Sequence, residues 1–147
     1  GGLKMAHAYS QTLDASLAIV AKRRKSATEV ESMAVIGDIT GKNVLLVDDL
    51  TETAGTLTHA AALLKKQGAK QILACVSHAI LSEIGVERLR KSDIDELITT
   101  DTVLRPAIDG VNITTLSVAG LLGEAIKRIH NNSSVNSLFE FKGGRTS

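Results

Sequence analysis

Two adjacent carboxylates and a cluster of hydroxyl side chains follow one short apolar segment. Asp48 and Asp49 come directly after the apolar residues 44–47. Three hydroxyl residues then follow, Thr51, Thr53 and Thr56. Paired carboxylates accept hydrogen bonds from neighbouring sugar hydroxyls, and threonines beside a helix N-terminus donate to phosphate. The combination predicts a sugar-phosphate site, and the alternative is a solvated aspartate pair followed by an ordinary threonine cap.

The residues after the carboxylates predict the start of a helix. Apolar residues recur there at helical spacing, at Ala54, Leu57, Ala61 and Leu64. Thr53 is the predicted N-cap and Gly68 the predicted stop. A capping box would place Glu or Gln at position 56, but that residue is threonine, so the first N–H groups are left for an anion. Gly55 lacks a Cβ, and we expect this to let a ligand approach the backbone.

A second feature is the basic run Lys-Arg-Arg-Lys at residues 22–25, after a strand predicted at residues 17–20. Polar residues without a clear period continue to Ser32, which predicts a charged loop. Charge runs of this kind also occur as solvated turns. If its strand shares a sheet with residues 44–47, the loop lies at the same carboxyl edge and could close over a polyphosphate.

Composition bounds the class of protein. The chain of 147 residues is 44% apolar, enough for a core, but has only one tyrosine and two phenylalanines, so no aromatic platform for single-stranded nucleic acid is predicted. A net charge of +1 argues against a general polyanion binder. No apolar run approaches membrane-spanning length. Cys75 lies in an apolar run, so we expect a buried, reduced cysteine. Together these features predict a cytoplasmic protein that binds neither nucleic acid nor membrane.

The elements that must position these residues alternate between strand and helix. Strands are predicted at residues 17–20, 44–47, 71–76, 95–102 and 113–118, and helices at 2–14, 53–68, 83–90 and 122–129. This order predicts an α/β three-layer sandwich with a mostly parallel sheet and functional loops at its carboxyl edge. His78 lies at that edge, as a ligand contact or as a structural histidine. We expect one domain over residues 1–139 and a loose tail over 140–147.

Residues 47–56, Val-Asp-Asp-Leu-Thr-Glu-Thr-Ala-Gly-Thr, resemble the phosphoribosyl-binding loop of the type I phosphoribosyltransferase fold. The variant is that of the ribose-phosphate pyrophosphokinase (phosphoribosyl pyrophosphate synthetase) family, with Glu52 in place of a third aspartate. Residues 18–24 are similar to the family's strand that ends in Lys-Arg-Arg before a flexible catalytic loop. The opening Gly-Gly resembles the end of its Asp-x-Gly-Gly segment, and Met5 stands where arginine is usual. The resemblance covers only the C-terminal half of that enzyme, which implies a fragment without turnover of its own.

The resemblance also implies a reaction and the role of each residue. The family transfers the diphosphoryl group of ATP to the C1 hydroxyl of ribose 5-phosphate, giving phosphoribosyl pyrophosphate and AMP. By position, Lys22 and Arg24 match its catalytic cations. Asp48 and Asp49 match the carboxylates that hold the ribose hydroxyls, directly or through Mg²⁺. The 5-phosphate would be held by Thr51, Glu52, Thr53, Ala54, Gly55 and Thr56. The ATP pocket would lie largely in a missing N-terminal half and in a neighbouring subunit, which implies a homo-oligomer.

Two further segments match the family. His78 lies in Ser-His-Ala-Ile-Leu-Ser, which is similar to the family's Thr-His-Gly-Val-Leu-Ser. The segment at 134–139 resembles a terminal segment that takes part in phosphate and nucleotide regulation, a role this assigns to Ser134, Asn136 and Phe139. Asn136 departs from the family's serine. Two alternatives stay open: a nucleobase phosphoribosyltransferase, disfavoured by the Lys-Arg-Arg loop, and a catalytically silent regulatory subunit of the synthetase.

The loop assignment gives a first prediction. Asp49→Asn should weaken binding of ribose 5-phosphate without unfolding the domain, because a carboxylate at the strand end should face the ligand and not the core. Calorimetric titration with ribose 5-phosphate, beside a thermal melt, measures both quantities. Unchanged affinity with an unchanged melting temperature would remove Asp49 from the site.

Overall fold

The computed structural model describes residues 2–23, 32–104 and 106–139. In chain order its elements are α1 (Leu3–Leu13), β1 (Ile19–Arg23), β2 (Ser32–Ile36), β3 (Asn43–Thr51), α2 (Gly55–Lys66), β4 (Gln71–Ala79), α3 (Glu83–Arg90), β5 (Glu96–Thr100), β6 (Ile113–Leu116), α4 (Ala119–His130) and a 3₁₀ turn (Asn136–Phe139). The tail expected at 140–147 lies outside the described residues. None of the helices in the described ranges is long and apolar enough to cross a membrane.

Four strands form one parallel sheet in the order β3-β4-β5-β6. The prediction of an α/β fold with a mostly parallel sheet is confirmed. Because parallel strands share one direction, the carboxyl ends of these strands meet at one edge of the sheet. The β3–β4 register there pairs Leu50 with His78 and Thr51 with Ala79. This register places the predicted sugar-phosphate segment beside the end of β4.

One face of the sheet is covered by α2 and α3 around β4. The alternate β4 residues Ile72, Ala74 and Val76 are at most 1% exposed. Ile72 lies in a core cluster with Leu64 of α2, and Val76 lies in a second cluster with Leu57 at the start of the same helix. Burial of each such side chain contributes about 1.5–3 kcal/mol. The two clusters therefore fix α2 against the sheet, including the helix end that adjoins the candidate site.

The opposite face of the sheet lies against α1. Side chains alternate along a strand, so Cys75 points away from α2, and Tyr9 Oη of α1 lies 3.6 Å from Cys75 Sγ. The hydrogen bond with Cys75, together with burial, raises the pKa of Tyr9 to about 12. The expectation of a fully buried cysteine is wrong, because Cys75 is half-buried. A cavity of about 690 Å³ between α1 and the sheet, partly lined by Leu73 and Ile98, leaves this face incompletely packed.

The strand that leads into the basic segment does not belong to the parallel sheet. β1 pairs antiparallel with β2 in a separate two-stranded sheet, in which Val20 lies opposite Val35. Both valines pack against the core. The intervening residues 24–31 are fewer than the dozen or so that a parallel crossover requires. The expectation that the basic loop follows a strand of the same sheet is therefore wrong.

The boundaries of α1 and α3 agree with the predicted helices to within one residue at each end. β4 continues to Ala79 instead of ending at 76, because its ladder with β3 extends to the pair of Thr51 and Ala79. The prediction that a glycine follows the end of α2 is confirmed. The helix ends at Lys66, and Gly68 follows with a φ of +88°, which glycine adopts without steric cost.

The packing of α2 predicts a clear difference between two aliphatic truncations. Leu64→Ala should lower the free energy of unfolding by about 3 kcal/mol, since it leaves a cavity at a side chain that is 1% exposed. Ile126→Ala on α4 is the control, because Ile126 is 67% exposed and should change stability by about 0.5 kcal/mol or less. Urea denaturation followed by circular dichroism measures both. Equal effects of the two variants would contradict this description of the core.

Candidate functional site at the carboxyl edge of the sheet

The loop between β3 and α2 begins and ends later than the sequence pattern predicts. β3 includes Asp48 and Asp49 and ends at Thr51, which is 5% exposed. The N-cap of α2 is Ala54 and not Thr53, and no side chain caps the helix. Ala54 has a φ of +53°, a conformation that is uncommon outside glycine. The prediction of a threonine N-cap is therefore wrong, whereas the predicted absence of a capping box at this helix is confirmed.

Backbone groups that follow β4 hold the carbonyl oxygens of this loop. The Ile80 N–H donates to the Thr51 carbonyl at 3.0 Å. The Glu52 carbonyl accepts from Ser82 twice, from the N–H at 3.0 Å and from Oγ at 3.2 Å. Gly85 in α3 makes the approach possible, because a Cβ there would lie 2.3 Å from the Glu52 oxygen. The loop is thus fastened along its carbonyl side to the start of α3.

An arginine of α3 completes this attachment. Arg88 Nη1 donates to the Thr53 carbonyl at 3.0 Å. The same nitrogen lies 3.1 Å from the position that a Cβ on Gly55 would occupy. We expected Gly55 to leave space for a ligand, whereas this space is adjacent to the Arg88 guanidinium. Arg88 could not be identified from the sequence, because an exposed arginine in an amphipathic helix carries no local signal of a contact 35 residues away.

The N–H groups of the loop have no such partners. Those of residues 53–57 donate no hydrogen bond to any residue in the described part of the chain. A left-handed residue followed by a helix start gathers successive N–H groups into a concave nest that binds anions. The partial positive charge of the helix N-terminus adds to this preference. The backbone of this loop can therefore hold a phosphate without a basic side chain of its own.

The two carboxylates lie near the end of β3, shortly before this nest in the chain. Asp48 is half-buried and its Oδ1 accepts from the Asp49 N–H at 3.0 Å, while Asp49 is exposed. Among the described residues neither carboxylate forms an ion pair, and no group of three or more His, Cys, Asp or Glu is placed to hold a metal ion. Mg²⁺ commonly binds through one or two carboxylates plus substrate oxygens. Two carboxylates fit this mode of Mg²⁺ binding.

His78 lies at the same edge, in a hydroxyl network. Its Nδ1 is 2.8 Å from Thr102 Oγ1. The Thr102 hydroxyl and the Thr100 hydroxyl both donate to the Ser77 carbonyl, at 3.1 and 2.7 Å. The ring is exposed and is paired with Leu50 in the β3–β4 register. The geometry brings His78 next to the loop and also gives it a structural partner, so both of its expected roles stay open.

Of the two predicted catalytic cations, only the backbone of Lys22 lies in the described structure. Lys22 lies opposite Met33 in the ladder of β1 with β2. Its side chain lies outside what the structure describes, and so does the whole of Arg24. The roles of both residues therefore stay predictions.

The segment expected to take part in regulation follows α4. Arg128 Nη1 donates to the Ser134 carbonyl at 3.2 Å and also to the Ser137 hydroxyl. The Asn136 N–H donates to Ser134 Oγ at 3.2 Å, and Phe139 is 78% exposed. In the described residues no hydrogen bond joins this segment to the loop after β3. Its regulatory role stays a prediction.

Comparison with known proteins decides the family. The family model for the phosphoribosyl synthetase-associated domain matches residues 2–140. The chain belongs to this family. Similar curated proteins in the synthetase group include the ribose-phosphate pyrophosphokinase of Gloeobacter violaceus, 48% identical over 141 residues, which are 95% of this chain and 42% of that protein. The ribose-phosphate pyrophosphokinase of Campylobacter jejuni is 45% identical over 140 residues, 95% of this chain and 45% of that protein.

A solved structure supports the same assignment. The phosphoribosylpyrophosphate synthetase of Mycobacterium smegmatis is 30% identical, with a TM-score of 0.78 over 90% of this chain and 43% of that chain. The α/β fold of this chain is therefore shared with a phosphoribosylpyrophosphate synthetase. The chain spans less than half the length of the curated relatives described above.

A carboxylate at the end of β5 gives a prediction on pH. Hydrogen bonds from the Ser117 hydroxyl and then the Val118 N–H lower the pKa of Asp101. A lowered folded-state pKa contributes stability that is present above the unfolded value and is lost as the pH falls through the folded value. Ser117→Ala should raise the pKa of Asp101 toward its ordinary value, as measured by NMR titration. Asp38, whose pKa is lowered by Lys42, is the internal control and should not change. An unchanged Asp101 titration would contradict the assignment.

Proposed function

We propose that this chain is the C-terminal half of a ribose-phosphate pyrophosphokinase with a type I phosphoribosyltransferase fold, and that it binds ribose 5-phosphate at residues 48–56. One observation carries the proposal. The loop carbonyls are fastened to the segment after β4 and to α3, while the N–H groups of residues 53–57 donate to no described residue and are left for a phosphate, in the same chain segment as Asp48 and Asp49. The names of the similar proteins and their common fold support the same substrate.

The proposed reaction moves the diphosphoryl group of ATP to the C1 hydroxyl of ribose 5-phosphate. The loop amides and the hydroxyls of Thr51, Thr53 and Thr56 hold the 5-phosphate and so place the C1 hydroxyl. Asp48 and Asp49 accept hydrogen bonds from the ribose hydroxyls or hold Mg²⁺. When bound, Mg²⁺ neutralises charge on the polyphosphate. Lys22 and Arg24 add positive charge at the transferring group.

A protein of this length leaves part of the proposed reaction to other segments. The relatives are more than twice as long as the matched region. We infer that an N-terminal half and a neighbouring subunit of a homo-oligomer supply most of the ATP pocket, so the isolated chain binds sugar phosphate but does not turn over. The segment with Ser134, Asn136 and Phe139 is the proposed contact for regulatory phosphate or nucleotide. With ATP as a substrate, the expected location is the cytoplasm.

Binding of three related compounds to the isolated chain tests the substrate. Ribose 5-phosphate should bind, whereas ribose should not bind measurably because the nest contributes nothing without a phosphate. Inorganic phosphate should bind more weakly than ribose 5-phosphate, since it lacks the hydroxyls that the carboxylates accept. Calorimetry measures the three affinities. Equal affinity for ribose and ribose 5-phosphate would contradict the proposed site.

In the full-length protein, the two cations can be tested separately from stability. Lys22→Ala or Arg24→Ala should lower kcat by about 10²-fold or more, because each removes a charge at a transferring phosphate. Surface changes in a polar segment usually alter stability by about 0.5 kcal/mol or less. Rates at saturating ATP and ribose 5-phosphate, beside thermal melts, measure both effects. A near-normal kcat in both variants would contradict these roles, and release of pyrophosphate that requires a nucleobase would favour the transferase alternative.

A further inference from the structure

We propose that Arg88 is a positioning residue for the sugar phosphate: from behind the loop, its guanidinium fixes the peptide group that aims the Ala54 N–H at the 5-phosphate. This inference rests on the proposed function of residues 48–56. It adds a residue from α3 that lies outside the loop and that no sequence motif indicates.

The planarity of the peptide group relates the direction of each carbonyl to that of the next N–H. In a trans peptide the carbonyl oxygen of one residue and the N–H of the next point in opposite directions. Because the carbonyls of Thr51, Glu52 and Thr53 are all held by the segment that follows β4, the N–H groups of Glu52, Thr53 and Ala54 point away from that segment. The last of these three peptides, between Thr53 and Ala54, immediately precedes the left-handed residue that forms the nest.

The three attachments differ in their dependence on side chains. The carbonyls of Thr51 and Glu52 accept from the backbone N–H groups of Ile80 and Ser82. These N–H groups would be present whichever side chains positions 80 and 82 carried. Within the described residues, the Thr53 carbonyl has one hydrogen-bond partner, Arg88 Nη1. The Thr53–Ala54 peptide is therefore the part of the nest whose orientation depends on the identity of one side chain.

The surrounding residues are consistent with this role. Ala54 is 2% exposed and packs in the core with Leu57 and Val76, which opposes the steric cost of its left-handed conformation. Gly55 has no Cβ at the point 3.1 Å from Arg88 Nη1. Packing on one side and the guanidinium on the other thus hold the peptide in a single orientation before any ligand arrives.

The chain offers a matched control on the same helix. Arg90 is also exposed and also donates to a backbone carbonyl, that of Asp109, at 2.9 Å. This carbonyl lies in the connection between β5 and β6 and not in the loop. Arg88→Ala and Arg90→Ala each remove one positive charge and one hydrogen bond to a carbonyl; Arg90→Ala also removes an ion pair with Glu87, and only Arg88→Ala touches the proposed site.

The experiment is calorimetric titration of the chain with ribose 5-phosphate, together with amide NMR and a thermal melt. Arg88→Ala should raise Kd about tenfold, or about 1.4 kcal/mol, the scale of one hydrogen bond to a charged group. Arg90→Ala should leave Kd unchanged. Arg88→Lys keeps the charge but not the planar fork, so it should recover only part of the affinity. The ligand-induced shift of the Ala54 amide should shrink in Arg88→Ala and persist in Arg90→Ala.

A second variant keeps the test decisive if Arg88→Ala is poorly folded. Gly55→Ala should favour the helix by up to about 1 kcal/mol, yet it should weaken binding because its Cβ displaces the guanidinium. In a folded Arg88→Ala background the same change should add little, since the two effects share one contact. Normal affinity in Gly55→Ala, with an unchanged Ala54 amide, would overturn the inference.

The remaining outcomes distinguish the positioning role of Arg88 from the proposed sugar-phosphate site on which that role rests. Equal affinities for the wild type and Arg88→Ala would overturn the positioning role and leave the sugar-phosphate site standing. Equal losses in Arg88→Ala and Arg90→Ala would overturn it in favour of a general effect of charge. Absence of binding by the wild type would overturn the proposed site and the inference together.

Discussion

The parallel pairing of β3 with β4 is the constraint on which the candidate site depends. The pairing runs to Thr51 and Ala79, and the Ile80 N–H extends it by donating to the Thr51 carbonyl. Because this register is fixed by the buried residues of β4, the chain that enters α3 must pass directly behind the loop after β3. Thr51 is buried, so its carbonyl requires a hydrogen-bond partner, and this passing segment supplies it. The outward direction of the loop amides is thus a consequence of how the sheet packs.

Much of the fold could be predicted from local pattern alone. The alternation of apolar strands with amphipathic helices predicted the α/β class, and the helix predicted at residues 83–90 is α3, whose N-cap Ser82 accepts from the Gly85 N–H. The start of α2 could not be predicted in the same way. Thr53 has the ordinary chemistry of a cap, but the pairing of Thr51 with a strand 28 positions along carries β3 further and moves the cap to Ala54. That information is non-local.

The other differences between the predicted and the observed structure also arise from contacts between residues that are distant in the sequence. Residues 17–20 are apolar enough for either kind of sheet, and only the packing of Val20 and Val35 against the core shows that β1 pairs with β2. The contact of Arg88 with the loop likewise depends on where α3 lies. Of the candidate site, the loop and its carboxylates could therefore be predicted from residue types, whereas the groups that hold the loop from behind could not.

Residues 48–56 contain no lysine, arginine or histidine, so under the proposed function these residues would hold the phosphate through backbone amides and hydroxyls. Side-chain cations would then act on the transferring group and not on the bound sugar phosphate. A crystal structure of the chain with ribose 5-phosphate tests this account most directly. The account predicts phosphate oxygens at about 2.7–3.2 Å from amide nitrogens of residues 53–57, with the ribose hydroxyls facing Asp48 and Asp49. A phosphate bound elsewhere, or held at this edge by basic side chains without contact to these amides, would contradict it.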